Sequence, residues 1–324
     1  MIIEVKNLKK VFRVKKSTNM LRDIFYPKHK IVTAVEGITI SIEKGESVAV
    51  LGPNGAGKTT TMKMLSGLIY PTSGEIKVLG YFPFDRKREF LKRIGLVMGN
   101  KTGLEWDLTP FQNFELIRKI YAISQDQYGK RLRELTTLLS VTDLLDTQVR
   151  KLSLGERMKM ELIASILHNP EVLFLDEPTI GLDILSKQKV REFLRQIQKK
   201  SEITLLLTSH DMADVEKVCD RVVVINKGKK VYDDALPVLL SKYSQKRYVE
   251  LYFKNIPEKE ELKYLGKEIE RGESSVVLEV ESAKLPSLLS KATSDFKLMD
   301  IDILSVPLDE IIADIFRKSE ADTL

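Results

Sequence analysis

A glycine loop and a pair of carboxylates are the residues of this chain most able to do chemistry. Gly52-Pro53-Asn54-Gly55-Ala56-Gly57-Lys58-Thr59 has the spacing G-x-x-x-x-G-K-[ST] of a phosphate-binding loop. Its glycines let the backbone close around a triphosphate, so that several N–H groups face the phosphate oxygens. Lys58 would reach the β- and γ-phosphates, and the Thr59 hydroxyl would hold Mg²⁺. The flanks supply the context this chemistry requires. Ser47-Val48-Ala49-Val50-Leu51 reads as a buried parallel strand entering the loop. Thr60-Thr61-Met62-Lys63-Met64-Leu65 reads as the helix leaving it, whose positive dipole end adds to the anion field. A plain glycine turn is the bland alternative, and it does not demand this pattern. The loop predicts nucleotide binding without saying what the energy is used for.

Further along, the apolar run Val172-Leu173-Phe174-Leu175 ends in Asp176-Glu177. Paired acids at a strand end can be ordinary surface residues. Downstream of a phosphate loop, at the strand edge where α/β sheets bind ligands, they read as catalytic. Asp176 is placed to hold Mg²⁺ through its water shell, and Glu177 to orient or deprotonate an attacking water. Gly181-Leu182-Asp183 makes a further turn. Ser209-His210-Asp211 closes the strand Ile203 to Thr208, and His210 is either structural or a hydrogen-bond donor to a γ-phosphate. Lys151-Leu152-Ser153-Leu154-Gly155-Glu156-Arg157 opens a helical run, with Ser153 and Gly155 as a simple N-cap or a second anion-facing helix start.

These residues need a scaffold, and the chain is long enough to build one. With 324 residues, 43% hydrophobic and 30% charged, it reads as globular, as two domains or one enlarged domain. The single cysteine, Cys219, excludes an internal disulfide, fits a reducing compartment, and reads as a small core residue. The N-terminus lacks a signal-peptide pattern, and no apolar run approaches the roughly 18 residues of a membrane helix. A membrane-spanning component, if the process needs one, is expected in another chain. The net charge of +6 is spread along the sequence and argues weakly for any anionic partner. Ile2 to Val5, Ile38 to Ile42, Ile76 to Leu79, Arg93 to Met98 and Arg221 to Asn226 complete the predicted strands, with Ser73-Gly74-Glu75 and Lys227-Gly228-Lys229 as turns. From Thr109 to Leu167 the apolar spacing is helical and predicts a subdomain inserted between strands. The basic stretch 13–31 is a solvated loop or a contact with lipid headgroups or a partner. Phe12, just before it, is a core residue or a platform for a base.

Taken in this order, the motifs over about residues 1–235 resemble the ATP-binding subunit of an ABC (ATP-binding cassette) transporter. The resemblance implies an α/β fold: a P-loop cassette with a mixed sheet core and a helical subdomain. It assigns 1–240 to the cassette, with the helical subdomain at about 100–167. It implies ATP and Mg²⁺ as cofactors. Phe12 would stack on adenine, Gly52 to Thr59 and Thr60 would bind the phosphates, Thr59 and Asp176 would hold the metal, and Glu177, His210 and Lys58 would act in hydrolysis. Two cassettes would pair head to tail, the Ser153 and Gly155 of one chain meeting the γ-phosphate bound by the other, and Asp183 lying on the loop that crosses the dimer. Leu154 and Glu156 depart from the family's L-S-G-G-Q, while Ser153 and Gly155, the phosphate-facing pair, are kept. Asn100 stands one position late and one methylene short of the family's metal-touching glutamine and is the candidate for that role.

The basic stretch before Ala34-Val35-Glu36-Gly37, Trp106-Asp107-Leu108 and Leu152 to Met158 resemble exporter cassettes of the bacterial drug- and viologen-efflux type. That branch implies a separate permease of six membrane helices and a cytoplasmic position at the inner face of the membrane. Two rivals stay open, a soluble ABC ATPase acting on nucleic acid or the ribosome and an import cassette. The first usually carries two cassettes or a long coiled coil, so no nucleic-acid partner is expected. Residues 245–324 lie outside the cassette and predict a small α+β domain of four strands with helices on one face. It either stabilises the dimer or senses a ligand, and no polar cluster in its sequence marks a pocket.

Overall fold

The computed structural model describes residues 1–15, 29–99, 102–243 and 245–321. They form two compact units, Met1–Asp234 and Ala235–Leu324. The first unit runs β1 (Ile3–Lys15), β2 (His29–Ile42), β3 (Ser47–Leu51), α1 (Lys58–Leu65), β4 (Ser73–Val78), α2 (Arg88–Leu91) and β5 (Ile94–Met98). The helical stretch follows as α3 (Pro110–Ile120), α4 (Gln125–Leu139) and α5 (Leu154–Ile166). The chain returns through β6 (Val172–Asp176), α6 (Ile184–Ser201), β7 (Thr204–Thr208), α7 (Met212–Val218), β8 (Arg221–Asn226) and β9 (Lys229–Ala235).

Two sheets share one core. The larger has the order β5-β6-β7-β3-β8-β9, parallel from β5 to β8. Its central strands β3, β6 and β7 are buried at every position, which is why they read as unbroken apolar runs. The smaller sheet is antiparallel, β2-β1-β4. Ile3 and Ile38 from it, Met62 and Met64 from α1, and Val50, Leu206 and Val223 from the larger sheet pack in one cluster. This fixes α1, and hence the glycine loop before it, against both sheets. Cys219 is buried, and burial pushes its thiol far above the usual range, so it behaves as a core residue.

Several elements match their predicted limits and some do not. β1 continues to Lys15 and β2 begins at His29, so the flanks of the basic stretch are strand rather than loop. Residues 16–28 of that stretch lie outside the described residues, as does Asn100. Ser73-Gly74-Glu75 is not a turn but the start of β4. Gly74 is needed there because a Cβ would lie 2.4 Å from the carbonyl oxygen of Asn7, beside the register shift between β1 and β4. The Lys227-Gly228 turn joins β8 to β9 with positive φ at both residues, as a tight hairpin requires.

The second unit contains α8 (Leu236–Tyr243), β10 (Lys246–Phe253), α9 (Lys259–Leu262), β11 (Lys267–Arg271), β12 (Ser275–Glu281), α10 (Leu285–Asp295), β13 (Leu298–Ser305) and α11 (Leu308–Ala321). Its four strands form an antiparallel sheet, β11-β12-β10-β13. Val249, Leu251 and Phe253 face Leu288 and Ala292 of α10 in a separate core. The helices are not confined to that face. Tyr248, on the opposite side of β10, is buried and hydrogen-bonded to Glu310 of α11.

Candidate functional site

The glycine loop is locked by backbone packing. At Gly52 a Cβ would lie 2.2 Å from the carbonyl oxygen of Ile225, and at Gly57, where φ is 107°, 2.3 Å from that of Ala34. No side chain other than hydrogen fits at either position. Gly57 is the N-cap of α1, and no side chain caps the helix. The first N–H groups of α1 are therefore available to an anion. Lys58 folds back over the loop and donates to the carbonyls of Gly52 (2.6 Å) and Pro53 (3.2 Å). It is buried, and desolvation lowers its ammonium from the ordinary lysine value against the pull of Glu177 and Asp176. A buried cation held among the described residues by two carbonyls, beside two carboxylates, is poised for a polyanion.

The acids stand where β6 meets β7. The Thr59 hydroxyl donates to Asp176 Oδ1 (3.1 Å), and the Thr208 hydroxyl donates to the same oxygen (2.6 Å). The backbone N–H of Glu177 donates to Thr208 Oγ1 (3.1 Å), which ties the catalytic candidate to its neighbour strand. Glu177 itself has φ 56°, a left-handed conformation uncommon outside glycine and found where a site holds backbone strain. His210 Nε2 lies 2.9 Å from Glu177 Oε1. The hydroxyl of Thr59 and the carboxylate of Asp176 are hard oxygen donors within reach of one another, and the loop beside them is a cradle that a Cβ would fill. This donor set fits Mg²⁺ with a bound nucleotide.

Ser153 and Gly155 belong to a second group. Ser153 is the N-cap of α5 in a reciprocal capping box: its Oγ accepts from Glu156 N–H (3.3 Å), and Glu156 Oε2 accepts from Ser153 N–H and hydroxyl (both 2.8 Å). A Cβ on Gly155 would meet Ser186 Oγ at 2.7 Å and Asp183 Oδ2 at 3.6 Å, so the signature stretch packs on the start of α6. Asp183 caps that helix, and the N–H of Ser186 holds its carboxyl below the usual range. Phe12 is half-buried on β1, opposite Val32, with the Lys10 ammonium 5.0 Å from its ring centre. The structure thus joins the loop, Asp176, Glu177 and His210 in one group and Ser153, Gly155 and Asp183 in another.

Sequence reasoning missed the residues that tie these groups down. Thr208, fully buried, bridges Asp176 and Glu177. The clue was a hydroxyl at the end of an apolar strand beside an acid-bearing one. Asp214 accepts from Thr179 and Ser209 hydroxyls (2.5 Å each) and pairs with Arg191 (2.6 Å). Arg191 and Lys187 also pair with Asp211, next to His210. No local spacing announces this network, because its members come from α6, α7 and the loops after β6 and β7.

The family model for ABC transporters matches residues 35–180. The ABC transporter ATP-binding protein NatA of Bacillus subtilis (strain 168) is 36% identical over 215 residues, which are 66% of this chain and 87% of that protein. The bacitracin transport ATP-binding protein BcrA of Bacillus licheniformis is 35% identical over 217 residues, 67% of this chain and 69% of that one. A solved ATP-binding subunit of an ABC transporter superposes with a TM-score of 0.62 at 26% identity, over 75% of this chain and 93% of the other.

Proposed function

This chain belongs to the ATP-binding proteins of ABC transporters and is an ATPase that energises a membrane transporter, and from that premise we propose how its residues divide the work. The supporting observation is the join at β6 and β7, where Thr59, Asp176, Thr208, Glu177 and His210 form one chain of contacts beside the glycine loop. The N–H groups of Gly55 to Thr60 and the Lys58 ammonium hold the phosphates. Thr59 and Asp176 would hold Mg²⁺, which when bound neutralises charge on the β- and γ-phosphates. Glu177 accepts a proton from the attacking water, and His210 orients that carboxylate and donates toward the γ-phosphate. Phe12 stacks on the adenine. Asn100 remains the candidate for the amide that touches metal and water.

A second copy completes the site, because Ser153 and Gly155 sit apart from the loop beside Asp183 and Ser186 of their own chain. In this reading two chains close head to tail around two ATP molecules and open after hydrolysis. Among the described residues no helix is long and apolar enough to cross a membrane. In this reading the cassette works on separate permease subunits, as an exporter component at the cytoplasmic face. Bacitracin transport in one relative's name fits this reading.

Two measurements test it. Glu177→Gln with ATP should elute as a dimer in gel filtration, and an exclusively monomeric elution overturns the two-copy site. Purification from native membranes in mild detergent should recover a hydrophobic partner. Recovery with ribosomes or DNA and no membrane protein overturns the permease assignment while leaving the ATP site intact.

A further inference from the structure

The second unit holds a groove of about 390 Å³ between α8, the start of β10, the end of β13 and α11. That volume is in the range of small-molecule sites. Its walls are apolar: Pro237, Leu240, Tyr243, Val306 and Ile311. Ser241 also lines it, its hydroxyl donating to the Val238 carbonyl at 2.8 Å, and the polar side chains Arg247 and Ser305 meet there. Arg247 donates through one nitrogen to Ser305 Oγ at 2.9 Å and, among the described residues, forms no ion pair. Ser305 accepts that bond, which leaves its own O–H proton free to donate.

The acids around the groove are already engaged. The Tyr243 hydroxyl donates to Asp314 at 2.7 Å, and Asp314 is also paired with Lys318 (2.8 Å) and lies 3.9 Å from Arg317. Lys318 also stands 5.6 Å from the centre of the Tyr243 ring. Asp314 is thus matched by two cations, Glu310 is engaged by the Tyr248 hydroxyl, and among the described residues no carboxylate pairs with Arg247. A planar guanidinium with a serine hydroxyl beside it matches a carboxylate, which can take two N–H bonds and one O–H bond at once. The apolar trough leading from it would cover an alkyl chain.

We propose that this groove binds an amphipathic monoanion, an alkyl carboxylate of medium chain length, with its head on Arg247 and Ser305 and its chain along Leu240, Val306 and Ile311. This makes the unit a ligand-sensing module. The assignment does not depend on the two-copy ATP site, since every residue it uses lies within 235–324.

Calorimetric titration of the full chain with sodium decanoate, below its micelle concentration, tests the assignment. Decyltrimethylammonium, with the same chain and opposite charge, is the control. Saturable binding of one decanoate per chain is expected, with none for the cationic amphiphile. Arg247→Gln should weaken decanoate binding at least about tenfold, the usual effect of losing a charge-assisted pair. Arg247→Lys keeps the charge without the fork and should fall between. Leu240→Trp should fill the trough and weaken binding with the head group intact. Equal binding of both amphiphiles, or decanoate binding unchanged in Arg247→Gln and Leu240→Trp, overturns the proposal and leaves only a sticky apolar surface. Absence of saturable decanoate binding to the wild-type chain overturns it outright. Thermal melts of each variant separate a lost fold from a lost site.

Discussion

The two helix starts that the proposed mechanism brings to the γ-phosphate, α1 and α5, are built in opposite ways. At α1 the cap is Gly57, no side chain competes for the helix N–H groups, and the carbonyls of Ile225 and Ala34 exclude any Cβ at Gly52 and Gly57. At α5, Ser153 and Glu156 satisfy each other in a closed capping box. The first start is an anion site by construction, with donors free and a buried cation alongside. The second is a self-satisfied helix end that has to exchange an internal carboxylate for a phosphate. Nucleotide affinity should therefore reside in the first, while the second should govern whether two chains close.

The largest effect that tests this contrast is at Lys58. Lys58→Ala should weaken ATP binding to the isolated chain by a hundredfold or more, roughly the loss of two charge-assisted bonds in a dry site. Equilibrium binding with fluorescent ATP measures it. If affinity survives, the α1 loop is not the seat of binding and the contrast collapses.

The second test concerns how the α5 arm is anchored. His168 follows α5 and donates from Nε2 to the carbonyl of Ile94 at 2.9 Å, while its ring stacks on Tyr121. Its Nδ1 is buried and has no hydrogen-bond partner among the described residues. Burial, with help from the nearby Arg131 charge, lowers its pKa from 6.5 to about 4. The unfolded chain thus takes up a proton that the folded chain refuses as the pH falls from 6.5 to about 4. Stability is full above that window and falls within it, by on the order of 3 kcal/mol at most. His168→Gln keeps a donor for Ile94 and should flatten this part of the stability–pH curve, read by urea denaturation at stepped pH. An unaltered slope would place the acid sensitivity elsewhere.

The difference between the two starts also explains what the sequence could reveal. Strands β3 and β8 were legible to the residue, and β6 to within one, because parallel strands buried on both faces are continuous apolar runs ending in polar residues. The Gly52–Thr59 loop was legible because its demands are local. Asp214 and Arg191 were not, since they meet only after α6 and α7 pack, nor was Thr208, which meets Asp176 only where β7 pairs with β6. Of the four strands expected in 245–324, only three could be placed in the sequence, at 247–253, 275–280 and 297–305, and β11 could not, for a related reason. Lys267-Glu268-Ile269-Glu270-Arg271 is an exposed edge strand, whose polar residues give no buried alternation to read. Gly74 misled because a glycine required by a neighbouring backbone looks in sequence like a glycine required by a turn.

A smaller effect is expected at Thr208, which belongs to the α1 side of the contrast. Thr208→Val keeps the shape and removes the hydroxyl that donates to Asp176 and accepts from the N–H of Glu177. That N–H retains the Thr208 carbonyl at 3.0 Å, and Asp176 retains Thr59. The loss should be about 1–2 kcal/mol of stability. Turnover should fall about tenfold as Glu177 loses one of its two ties to Thr208 and Asp176 loses one of its two hydroxyl donors. Phosphate release at saturating ATP, alongside urea melts, separates the two. Turnover unchanged at reduced stability would make Thr208 a packing residue.

The smallest effect bears most directly on α5. Glutamine serves the capping box as well as glutamate, so Glu156→Gln should leave stability within about 0.5 kcal/mol. It removes a negative charge that now holds the N–H and hydroxyl of Ser153, the donors a phosphate would need. In a Glu177→Gln background, where hydrolysis does not drain the complex, the ATP concentration for half-maximal dimerisation should fall two- to fivefold, about the worth of one partly screened like-charge contact. Sedimentation velocity across an ATP series reads that midpoint. An unchanged midpoint would mean that the Glu156 carboxylate leaves the helix start at no cost when the chains close. The second start would then be as ready for phosphate as the first.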